Sequence, residues 1–183
     1  MNEIEKIEIV MEKYRQPAIM VHRPYPPVGL TEINSYLGGR PRLPRDIDWP
    51  LTNNGIPLHF LAQIDCAELP STEGLLPDAG VLYFFARIDE EMLWGESGDP
   101  ADDCRVLFAP LGTRGLQPPA DLPEVQFGLS GPVVDFKLPG DPPVQLYPRW
   151  PVTLHRISSW PDKSAIGETF SVEYQRAVRR ARA

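Results

Sequence analysis

Twenty-two prolines in 183 residues constrain this chain more than any other feature. Each fixes φ at about −65° and removes a backbone donor, so neither a helix interior nor a central strand accommodates one. With the 14 glycines they make about a fifth of the chain, where about an eighth is usual. The prolines alternate with apolar runs instead of collecting in one tract. They therefore mark turns and strand ends of a folded, loop-rich β protein.

The segments between prolines divide by period. Asn2 and Glu5 form a capping box, and Ile4, Ile7, Val10, Met11 and Tyr14 repeat at helical spacing up to Pro17. A second helix is predicted over residues 168–182, with Phe170, Tyr174, Ala177, Val178 and Ala181 as its apolar stripe. Between them the runs are strands. Residues 18–22, 32–37, 56–65, 81–89, 104–111, 132–139, 144–148 and 151–158 all read as β. Asn54-Gly55 is the best hairpin-turn signal, and Gly38-Gly39 marks a turn through positive φ or a close backbone approach. The expected fold is α+β: a mostly antiparallel, loop-rich sheet with an N-terminal and a C-terminal helix, in a single domain over 1–183. Residues 56–65 and 81–89 are its central pair. Leu58, Phe60, Ala62 and Ile64 would share one face of the first strand, and Leu82, Phe84, Ala86 and Ile88 one face of the second; one face of the pair is wholly apolar and must be covered. His59, Leu61, Gln63 and Asp65 would share the other.

Charge and cysteine content narrow the function classes. A net charge of −7 repels phosphate backbones, so nucleic acid is not expected as a partner. No apolar run reaches the roughly 20 residues of a membrane helix, and the charged N-terminus is no signal peptide. Cys66 and Cys104 stand far apart and read as free thiols. The protein is expected in the cytoplasm, away from membranes.

Catalytic and cofactor motifs are absent from the sequence: no phosphate loop, no G-x-S-x-G, no H-E-x-x-H. His22, His59 and His155 are too scattered for zinc, and neither a metal nor a cofactor is expected. The acidic run "GESGDPADD" departs from the calcium-loop pattern and reads as a solvated loop. The polar residues with a claim to more are Arg40, Arg42, Asp46, His59, Gln63, Asp65 and Arg87. Gln63 and Asp65 are neighbours on one strand face, about 7 Å apart. They form either the floor of a cleft or ties to loop backbone, and ties are favoured. Trp49, Trp150 and Trp160 each precede a proline, and such corners pin loops to a core or line a groove.

The stretch "SYLGGRPRLPRDIDWPLTNNGIPLHFLAQIDCAELP" resembles the YwqG-like family of bacterial proteins, a domain of unknown function. The family's serine, Gly-Gly, Pro-x-x-Pro, Trp-Pro and Pro-Leu-x-Phe-Leu-Ala-Gln-Ile correspond to Ser35, Gly38, Gly39, Pro41, Pro44, Trp49, Pro50 and the run Pro57 to Ile64. Leu69-Pro70, Leu76-Pro77, Gly80 and Phe84-Phe85 continue the match. The resemblance implies a sheet-dominated α+β fold and no established activity. A second Gly-rich block seen in longer members is missing here, so the chain reads as a short or C-terminally truncated form.

The leading expectation is a non-catalytic cytoplasmic binding module that presents rigid loops to a protein or peptide partner, with toxin immunity as a sub-class. The alternative is an enzyme with a carboxylate-based cleft around Gln63 and Asp65, supported by His59 or Arg87. The candidate binding set is Arg40, Arg42, Asp46, Trp49, His59, Gln63, Asp65 and Arg87.

Overall fold

Alternating apolar residues flanked by turn signals make the two central strands. The structure is a computed structural model and describes Glu5, Glu12 and residues 15–26, 33–72, 74–87, 104–124 and 145–159. Its strands are β1 (Gln16–His22), β2 (Tyr36–Leu37), β3 (His59–Asp65), β4 (Val81–Ala86), β5 (Cys104–Ala109), β6 (Trp150–Pro151) and β7 (Thr153–Ser159). A 3-10 turn, Cys66–Glu68, follows β3. The chain divides into two compact units, Met1–Met20 with His155–Ala183, and Val21–Leu154. Strands β1 and β7 form a two-stranded sheet. The Val21–Leu154 unit holds a five-stranded sheet in the order β5-β4-β3-β2-β6, with every neighbouring pair antiparallel.

The α+β expectation is corrected by these elements. The described structure is nearly all β, and no α-helix is among its elements. Gln16 and Pro17, where the first helix was expected to stop, already belong to β1. A proline is tolerated there because a two-stranded ladder leaves each strand an unpaired edge. The predicted helix over 168–182, most of the N-terminal one, the acidic run and the strand at 132–139 lie outside the described residues. Among the described residues no helix is long and apolar enough to cross a membrane.

The turn signals act as read. Asn54-Gly55 closes a tight loop with Gly55 at φ +79° and Thr52 N–H donating to Ile56 O at 2.8 Å. The strand expected over 32–37 shrinks to two residues. The amides of Asn34 and Ser35 go to the Glu68 carboxylate instead of a ladder, at 2.7 and 2.9 Å.

One bulge rearranges the central faces. The β3–β4 register shifts between Phe60 and Ala62, so Leu61 is the extra residue. His59 pairs with Ala86, Ala62 with Phe84 and Ile64 with Leu82. Phe60 pairs with Phe85, Gln63 with Tyr83 and Asp65 with Val81. Phe60 therefore crosses to the face of Gln63 and Asp65, and His59 crosses to the opposite one. The deepest packing follows Phe60. Tyr36, Leu43, Trp49, Leu58, Phe60, Val81, Tyr83 and Phe85 form one buried cluster. Phe85 meets Phe60 and Trp49 edge-on, at centroid distances of 5.4 and 5.3 Å. Each such ring contributes about 1.5–3 kcal/mol by leaving water. On the other face, Val106 and Phe108 remain 57% and 54% exposed. The face expected to be covered is thus the more open of the two.

Candidate functional site

The proline-rich segment after Gly39 crosses the buried face of the sheet without a ladder of its own, so its polar backbone needs side-chain partners. The sheet supplies them. Tyr36 Oη donates to Arg40 O at 2.7 Å, and Tyr83 Oη donates to Arg42 O at 2.6 Å. Gln63 Oε1 accepts from Arg42 N–H at 2.9 Å, and its Nε2 donates to Asn34 O at 2.7 Å. Those two partners fix the orientation of the amide, since a backbone N–H only donates and a carbonyl only accepts. Pro41 has no N–H to satisfy, and its carbonyl accepts from Leu116 N–H at 2.7 Å. Gly112 N–H completes Arg42 O at 2.7 Å. Burial pushes the Tyr36 and Tyr83 hydroxyls up to about 12, so both stay protonated donors.

A second layer ties the entry to this segment. Arg42 donates through Nε to Gly112 O at 2.9 Å and through a terminal nitrogen to Asn34 Oδ1 at 2.8 Å. Asn34 Nδ2 donates to Asp65 Oδ2 at 3.0 Å, and Asp65 Oδ1 caps the 3-10 turn through Ala67 N–H at 3.0 Å. Gln63 is fully buried and both Asp65 oxygens are engaged. Asn34 and Glu68, which complete the network, carry no local signal in the sequence. They sit 34 residues apart, and only the fold joins them.

The remaining candidates scatter. Trp49 is buried and donates its indole N–H to Leu58 O at 2.8 Å, pinning the Trp-Pro corner to the core. Arg40 and Asp46 are exposed on the loop. Arg87 is half-buried just after β4, beyond Ala86, which pairs with His59. Asp65 pairs with Val81 at the far end of that strand, about 20 Å away. The bulge also turns His59 away from Gln63 and Asp65. The carboxylate cleft would need these groups to converge, and they do not.

His59 is a core histidine. Its Nε2 lies 2.9 Å from Pro123 O, so Nε2 carries the proton of the neutral ring, and Nδ1 is buried with no partner among the described residues. A second proton on Nδ1 would find no acceptor among the described residues. Burial accordingly lowers its pKa, with the Pro123 bond opposing. The folded state binds this proton less readily than the unfolded chain. The stability held by neutral His59 is therefore complete above about pH 6.5 and is lost as pH falls. His59→Gln retains a donor for Pro123 but does not titrate there. Urea midpoints measured from pH 7.5 down to 5 are expected to fall more steeply for the parent, by up to about one proton's worth of slope. Parallel slopes would contradict this assignment.

The loop contacts also form a hollow of about 300 Å³, bounded by Leu43, Pro44 and Arg45 on one side and residues 111–116 on the other. Gly112 permits the approach, since a Cβ there would fall 2.6 Å from Arg42 O and closer still to Leu43 O. A neighbouring apolar hollow of about 390 Å³ shares Leu111 and includes Asp65, Gly80 and Phe108. Arg45, Arg114 and residues 111–116 were not among the sequence candidates. The one signal available was Gly112 and Gly115 flanking an arginine directly after β5.

Among the described residues no group of three or more His, Cys, Asp or Glu side chains could hold a metal ion. Cys66 is buried, Cys104 is exposed, and neither forms a disulfide. Residues 35–166 match a family model described as "Domain of unknown function (DUF1963)". No curated protein matches the chain.

Proposed function

We propose, for a chain that belongs to the DUF1963 family of domains of unknown function, a non-catalytic binding role in which a protein or peptide partner occupies the hollow between residues 43–45 and 111–116. The observation that carries this reading is that both walls of the hollow are held by backbone bonds before any partner arrives. Gly112 N–H to Arg42 O and Leu116 N–H to Pro41 O are each 2.7 Å. Walls fixed in advance lose little entropy on binding. We read the family match as YwqG-like, because residues 35–85 carry that group's Gly-Gly, Pro-x-x-Pro and Trp-Pro run. Cysteines outside any disulfide suit a cytoplasmic setting. Toxin immunity is the sub-class that a small acidic chain suits best.

A photo-crosslinking residue placed at the exposed position Thr113, on the wall of the hollow, tests the reading in cells that express the protein naturally. The same residue at Leu75, 73% exposed and outside the hollow, is the comparison. The expected result is a discrete adduct from position 113 that position 75 does not give, mapping to one peptide of the partner. Equal adducts from both positions, or none from either, would remove the binding role from this hollow.

A further inference from the structure

We infer that the partner segment held here is acidic, with one apolar side chain as its anchor; this rests on the binding role proposed above. Three exposed arginines surround the hollow. Arg45 and Arg114 line it, and Arg40 packs against Gly115, where a Cβ would stand 2.9 Å from Arg40 Cβ. None of the three makes an ion pair among the described residues. This contrasts with Arg42, four residues from Asp46 in the same loop, whose guanidinium is consumed by Gly112 and Asn34. Segments 40–48 and 110–116 together carry four arginines against Asp46 and Asp48, a local excess of two positive charges on a chain of net −7. Between the arginines the wall is apolar, with Leu43, Pro44, Leu111 and Leu116. The chemistry that complements such a site is a hydrophobic side chain flanked by carboxylates, which arginine engages through paired N–H groups.

The negative charge of the whole chain does not defeat this arrangement. At physiological ionic strength charges beyond about 8 Å are largely screened, so the nearest groups decide. The net charge instead makes the site selective, since an acidic segment is attracted only where the arginines stand.

The test is selection from a displayed library of random peptides against the full chain. The expected outcome is enrichment of sequences with Asp or Glu on both sides of an apolar residue. Enriched peptides should bind the R45E/R114E variant at least tenfold more weakly, and parent binding should weaken as salt is raised. Both positions are exposed, so the variant should keep the parent's urea midpoint. Enrichment of neutral or basic sequences that a crosslinker at position 113 traps would overturn the acidic assignment and leave the binding role standing. Acidic peptides that bind the double variant unchanged would also overturn it. A library that yields no binder at all would overturn both.

Discussion

Gly38→Val is expected to destabilise the protein by about 2–5 kcal/mol, the sum of a left-handed backbone penalty and overpacking. Gly38 sits at φ +59° and donates its N–H to Leu61 O at 2.8 Å. A Cβ there would lie 2.8 Å from Tyr147 O and still closer to Pro148 O. Both obstacles are backbone, which cannot rotate aside as a side chain does. Gly55→Val separates the two costs. Gly55 has φ +79°, but nothing lies within 4 Å of its Cβ position. It should show the backbone penalty alone, about 1–2 kcal/mol. Urea melts should place the Gly38 midpoint well below the Gly55 one, with similar slopes. Equal midpoints would mean that the Gly-Gly turn is not packed against residues 147–148.

Gln63→Ala is the second large effect. The side chain is fully buried and serves two backbone groups of different segments, Arg42 N–H and Asn34 O. Alanine orphans both where water cannot replace the lost bonds. Each unpaired group costs about 1–3 kcal/mol, and with partial relaxation the total should be about 2–4 kcal/mol. Asp46→Ala, on the same loop but exposed, should change stability by less than about 0.5 kcal/mol. A Gln63→Ala protein with the midpoint of Asp46→Ala would mean that the amide does not hold the loop.

The contrast between Gln63 and His59 shows what the sequence could express. Alternation identified β3 and β4 as strands because a half-buried strand imposes period two on side-chain polarity. It could not show the bulge at Leu61. One extra residue between two apolar neighbours changes no composition, yet it exchanges the faces of His59 and Phe60. The tie between Gln63 and loop backbone was legible as one of two readings, since a buried amide needs partners. The identities of those partners, Asn34 and Arg42, depend on tertiary contact. The hollow itself was not legible. It arises where residues 111–116 meet residues 43–45, and neither the Pro-x-x-Pro of one segment nor the glycines of the other shows that the two meet. The α+β expectation rested on helical spacing near both termini, while the elements of the described residues are strands and one 3-10 turn.

The sheet's buried polar side chains hold the proline-rich segment in place, so the wall of the hollow that it forms is set in advance. Amide hydrogen exchange at Arg42 tests this most directly. Its N–H has one acceptor, Gln63 Oε1 at 2.9 Å, and the residue lies outside every strand. The Arg42 amide of the parent is expected to exchange as slowly as amides within β3 and β4. In Gln63→Ala it should exchange markedly faster, while the β4 amides retain the larger part of their protection. An Arg42 amide that exchanges in the parent as fast as an open loop, or that keeps its protection when Gln63 is removed, would mean that Gln63 does not hold this segment.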